Sequence, residues 1–93
     1  MRLGVATQQS TERKSYSFVY TEALDKGDSV SSIDSCIAEP GGLIVSPALV
    51  SDTRCRVWCS EGTPGNSYKV TLRVNTAGGE ILEDELIIRV KDI

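Results

Sequence analysis

The side chains of this chain that could carry chemistry are three cysteines, four lysines, thirteen carboxylates and no histidine. Cys55-Arg-Val-Trp-Cys59 sets two thiols on one side of an extended segment, the beginning of a zinc site. Zinc takes about four nitrogen or sulfur ligands, and only Cys36 remains to join them. The three thiols read instead as small apolar core groups. Without histidine no Ser–His or Cys–His dyad can form, and no Ser-x-x-Lys motif offers a substitute. Asp25 and Asp28 flank one turn, and Glu80, Glu83, Asp84 and Glu85 crowd the last hairpin. Calcium wants six to eight oxygens, but these carboxylates lack the Asp-x-Asp-x-Asp loop and mostly alternate across a strand. They read as solvated charge. Glu61-Gly-Thr-Pro-Gly65 lacks the Gly-Lys-Ser/Thr ending of a phosphate cradle and reads as a corner between strands. No catalytic residue, cofactor-binding residue, cofactor or metal ligand is expected.

With reaction chemistry set aside, the totals bound what remains. Ninety-three residues make one domain, and a chain this short leaves little room for an enclosed substrate pocket. Hydrophobic residues at 40% and charged residues at 25% are those of an ordinary folded domain. A net charge of −3 shows no basic stripe, so nucleic acid is not an expected partner. No run approaches the ~20 apolar residues of a membrane span, so no membrane association is expected. Met1 to Ala6 has no apolar secretory core, and an odd cysteine count fits a cytosol-like compartment.

Residues 1–12 show no period and read as a flexible N-terminal arm preceding a domain over 13–93. Tyr16, Phe18 and Tyr20 share one face of a strand. A short connection through Leu24 and the Asp25–Asp28 turn leads to a second run, Ser29–Glu39. There Val30 is out of phase with Ile33, Ser35 and Ile37, which predicts a bulge near Ser31–Ser32. Pro40-Gly-Gly42 turns the chain. Leu43–Val45 reads as a short edge strand cut off by Pro47, and Ala48–Asp52 as a loop or a second short strand. Cys55, Val57 and Cys59 then oppose Arg54, Arg56 and Trp58.

Tyr68, Val70, Leu72 and Val74 point inward from the penultimate strand, and Leu82, Leu86, Ile88 and Val90 from the last. Even faces even, so the hairpin loop holds an odd number of residues. Gly78-Gly79-Glu80 is the expected loop, pairing Leu72 with Leu86 and Arg73 with Glu85. About seven short strands without an amphipathic helix predict an antiparallel immunoglobulin-like β-sandwich. Tyr68 opening a late strand after the glycine-containing corner resembles the tyrosine corner of such folds.

The outward parity of Arg54, Arg56 and Trp58 makes them candidate interface residues, because tryptophan and arginine anchor many protein contacts. Ile81 and Ile87 have outward parity on the last strand, and with Val19 they are expected to form an apolar patch.

Leu24-Asp-Lys-Gly27-Asp28-Ser29-Val30, Val57-Trp58-Cys59-Ser60-Glu61-Gly62-Thr63-Pro64-Gly65, Tyr68-Lys-Val70-Thr71 and Asn75-Thr76-Ala77-Gly78-Gly79 follow one another in an order that resembles tailed-phage fibre–tail adaptor proteins. The likeness runs from about Arg13 to Val90. It implies a non-enzymatic virion protein, made in the bacterial host cytoplasm, that joins tail, fibre or portal proteins. Many copies in a symmetric assembly would let weak contacts sum. The rival readings are an immunoglobulin-like module of a bacterial surface protein and a carbohydrate-binding sandwich. The first calls for an adjoining repeat or a secretion signal, the second for a row of exposed aromatics.

Overall fold

The computed structural model describes residues 2–93, and among them period-two alternation produces seven strands and no helix. The strands are β1 (Arg2–Gln8), β2 (Arg13–Val19), β3 (Val30–Glu39), β4 (Leu43–Ser51), β5 (Arg54–Glu61), β6 (Ser67–Thr76) and β7 (Ile81–Val90). They form a four-stranded sheet in the order β1-β7-β6-β3 and a three-stranded sheet in the order β2-β5-β4. A sheet with one apolar face must cover it, and with no helix on hand each sheet covers the other. Tyr68, Val70, Leu72, Val74, Ile88 and Val90 of the larger sheet and Phe18, Cys55, Val57 and Cys59 of the smaller are all buried in one core. The all-β sandwich expected from the alternation is present.

Part of the stretch read as an arm forms a strand. Arg2–Gln8 is an edge strand of the larger sheet, running parallel to β7 while every other pairing is antiparallel. Periodicity is silent here because over residues 4–8 Gly4 has no side chain, Ala6 packs on the core with a small one and Gln8 carries an amide inward. Backbone pairing along β7 holds β1 instead, together with the satisfied Gln8 amide. Gln8 Nε2 donates to the Cys59 carbonyl (2.8 Å) and the Glu12 carbonyl (2.9 Å), and Gln8 Oε1 accepts from the Tyr16 hydroxyl (2.8 Å).

Two corrections concern β4 and the last hairpin. β4 does not end at Pro47 but runs on to Ser51. It lies at the edge of its sheet, where a missing N–H need not interrupt a ladder. In the hairpin, parity and loop length are as expected, but the loop is Ala77-Gly78-Gly79. Leu72 therefore pairs with Asp84, not Leu86, and Arg73 with Glu83, not Glu85. The final residue of a three-residue loop takes the left-handed conformation. Gly79 (φ 92°) adopts it freely, whereas the expected loop would have forced it on Glu80. β3 bulges between Val30 and Ser32 as expected, and again between Ile33 and Ser35.

This register carries Asp84 to the core face, where it is 3% exposed. Burial raises its carboxyl above the ordinary aspartate range. An acid whose folded pKa is raised contributes stability below its unfolded pKa and loses that contribution as pH rises through the folded value. Urea unfolding of the native chain and of Asp84→Asn at about pH 4 and about pH 7 is expected to show the native chain losing ground to the variant as pH rises.

The corner before β6 is closed by Tyr68, whose hydroxyl accepts the Thr63 N–H at 2.8 Å. Tyr68→Phe leaves that donor without its partner and is expected to cost about 1–3 kcal/mol in denaturant unfolding.

Candidate functional site

The outer face of the smaller sheet is built by parity from its core face. Phe18, Cys55, Val57 and Cys59 are fully buried, so their neighbours in sequence point out. Across β2 and β5 the pairs on this outer face are Arg13 with Ser60, Ser15 with Trp58, Ser17 with Arg56, and Val19 with Arg54. β4 extends the rows with Ile44, Ser46 and Ala48. The guanidinium carbon of Arg13 lies 4.4 Å from the centroid of the Trp58 ring, a cation–π stack that holds both side chains. Arg56 is half-buried between its neighbours, and its Nε has no hydrogen-bond partner among the described residues. Three arginines and one tryptophan thus share a face whose remaining positions are serines and small apolar residues. No carboxylate occurs in those rows.

The sequence pattern placed Arg54, Arg56 and Trp58 together, and the sheet brings them together. Ile81 and Ile87 lie on the outer face of the larger sheet, on the opposite side of the sandwich, so the five residues do not form one surface. Val19 neighbours Arg54 and not the two isoleucines. Ile81 is 57% exposed at the start of β7, while Ile87 lies beside Val5 of β1. Arg13 was not among the sequence candidates. Its place follows only from the β2–β5 register, which no local pattern reveals.

A second surface also escaped sequence reading. β4 contains no charged residue over its nine positions, and Ile44, Leu49 and Val50 are exposed along it. Ile37 of β3 is exposed on the neighbouring border. Uncharged edge strands are ordinarily blunted by charge or proline; here Pro47 is the one such device.

The loops at one end of the sandwich form a third, acidic surface. The Asp28 carboxylate accepts N–H bonds from Ser29 (2.8 Å) and Gly78 (2.9 Å), joining the β2–β3 connection to the last hairpin. The Val30 N–H donates to the Asp52 carbonyl (2.7 Å), joining the same connection to the β4–β5 turn. Glu22, Asp25, Asp28, Asp52 and Glu80 belong to these loops with Lys26 as their one basic residue, and Asp25, Asp28 and Glu80 lie close together. Asp25 beside Glu80 raises the Glu80 carboxyl above its ordinary range, whereas N–H donation from Ser29 lowers that of Asp28.

The cysteines belong to the interior. Burial pushes the Cys59 thiol up to about 12 and that of Cys36 to about 11, so neither supplies thiolate near neutral pH. A colorimetric thiol reagent at about pH 8 is expected to react at Cys55 and Cys59 only after denaturant is added.

No curated protein matches the chain. A family model described as podophage GP4 fiber-tail adaptor protein gp77 matches residues 8–89.

Proposed function

The chain belongs to the podophage GP4 fiber-tail adaptor family, and from that membership we propose that it joins virion proteins through its outer surfaces rather than by chemistry. The family makes it a structural, virion-associated protein. The observation that carries the finer reading is the face of Arg13, Arg54, Arg56 and Trp58. Its hot-spot residue types are assembled on one sheet and covered by no other element among the described residues. The sandwich acts as an immunoglobulin-like scaffold, and the uncharged β4 border gives a second contact on another side. An adaptor needs two such surfaces. The partners are tail, fibre or portal proteins, met after synthesis in the host cytoplasm.

Pull-down of tail, fibre and portal proteins from the same phage with the immobilised chain tests the reading. Trp58→Ala is expected to weaken capture at least about tenfold, the loss of ~1.4 kcal/mol or more typical of an interface anchor. Its thermal unfolding should stay close to that of the native chain, because Trp58 lies outside the core. Binding to none of these proteins, or equal binding by the variant, would overturn the assignment.

A further inference from the structure

We propose that the arginine–tryptophan face of one copy receives the acidic loop end of a second copy of the same chain, so that copies pack end to face. The inference rests on the adaptor reading for its setting and adds a second occupant, which competes with a tail, fibre or portal protein for the same face. The charge layout argues for it. The chain has ten basic and thirteen acidic side chains. Taking away Arg13, Arg54 and Arg56 leaves seven against thirteen, so a molecule of net charge −3 becomes a face of +3 and a remainder of −6. Five carboxylates of that remainder lie in the loops of one end with a single lysine, and Arg54 borders that end at the start of β5. Asp25 raises the Glu80 carboxyl there, by its charge and by a side-chain hydrogen bond between the two. Guanidinium groups brought against this end would relieve that crowding, and arginine pairs with carboxylates through two parallel N–H bonds.

The shapes allow the contact. The molecule measures 44 × 19 × 18 Å, so an end of about 19 by 18 Å can rest on a face running along the long axis. Such a footprint falls below the ~800 Å² per partner of a standard stable interface. The pairwise contact is therefore weak and salt-sensitive, and gains strength only when several copies are held together. Because face and end are different surfaces, the contact is heterologous, and repetition closes a ring or extends a row. A long polyanion such as duplex DNA suits the face less well. It would meet three cations, and its remaining phosphates would oppose the −6 of the rest of the molecule.

Sedimentation of the full chain, at rising concentration, separates these outcomes. At about 0.02 M salt the mean mass should climb with concentration. At about 1 M salt, where the screening length is ~3 Å, it should fall to that of the monomer. Arg13→Glu with Arg54→Glu, and separately Asp25→Lys with Glu80→Lys, should each remain monomeric at low salt. The two variants mixed should associate again, since the unchanged end of one meets the unchanged face of the other and the two reversed surfaces are complementary as well. Arg54→Glu alone, at an exposed position, serves if the Arg13 change disturbs folding, and circular dichroism verifies each variant. A native chain that stays monomeric at low salt would overturn the proposal. So would a face-reversed variant that still associates, or a mixture of folded variants that does not. A duplex DNA probe that occupied the face while copies stayed apart would count equally against it. None of these measurements uses another virion protein, so this contact and the adaptor reading can fail separately.

Discussion

Gly62→Ala is expected to lower the unfolding free energy by about 2–5 kcal/mol, read from the urea midpoint at constant slope. Two costs combine at this position. Gly62 has φ 91°, a conformation in which a β-carbon costs roughly 1–2 kcal/mol. The added methyl would also meet Val90 Cγ2 at 2.9 Å, with Leu43 Cδ1 and Tyr68 Cε2 at 3.3 Å. Those neighbours are buried and cannot all move aside, and overpacking of this kind costs roughly 1–3 kcal/mol. Gly65, at φ 92° with nothing within 4 Å of its would-be β-carbon, separates the two effects. Gly65→Ala should show the backbone cost alone.

Phe18→Ala is expected to cost about 3–5 kcal/mol. Phe18 is fully buried on the core face of β2, opposite Cys55 of β5, and it is the one phenylalanine of the chain. The cavity would open where the small sheet meets the larger one. A domain of this length has roughly 5–14 kcal/mol of stability to lose, so the variant should unfold at a much lower urea concentration. Trp58→Ala, on the outer face of the neighbouring strand β5, should leave that midpoint nearly unchanged. The contrast reads inside from outside.

The sandwich was legible because its strands alternate cleanly. From Tyr68 to Val90 every inward residue but Thr76 and Asp84 is apolar, and parity alone fixed both the core face and the odd loop. Register within that parity was not legible from hydrophobicity. Leu72 opposite Leu86 looks better than Leu72 opposite Asp84, yet the left-handed residue at the end of the loop had to be Gly79, and turn geometry prevailed over apolar matching. β1 was hidden for another reason. Its stability comes from backbone bonds to β7 and from one satisfied glutamine, neither of which leaves a period in the sequence. The binding face was half legible. Arg54, Arg56 and Trp58 alternate along one strand, so parity united them, but Arg13 joins through a partner strand forty-odd residues away. Ile81 and Ile87 share outward parity with them, and parity does not say which of two sheets a strand enters.

Oxidative footprinting of Trp58 in intact virions and in the isolated chain tests most directly whether the small-sheet face is where the adaptor is engaged. Trp58 is half-exposed in the isolated chain and should be oxidised there. In the virion it should be strongly protected, while Ile81 on the opposite side changes less. Equal oxidation of Trp58 in both states, with protection at Ile81 instead, would place the contact on the other sheet and contradict the assignment.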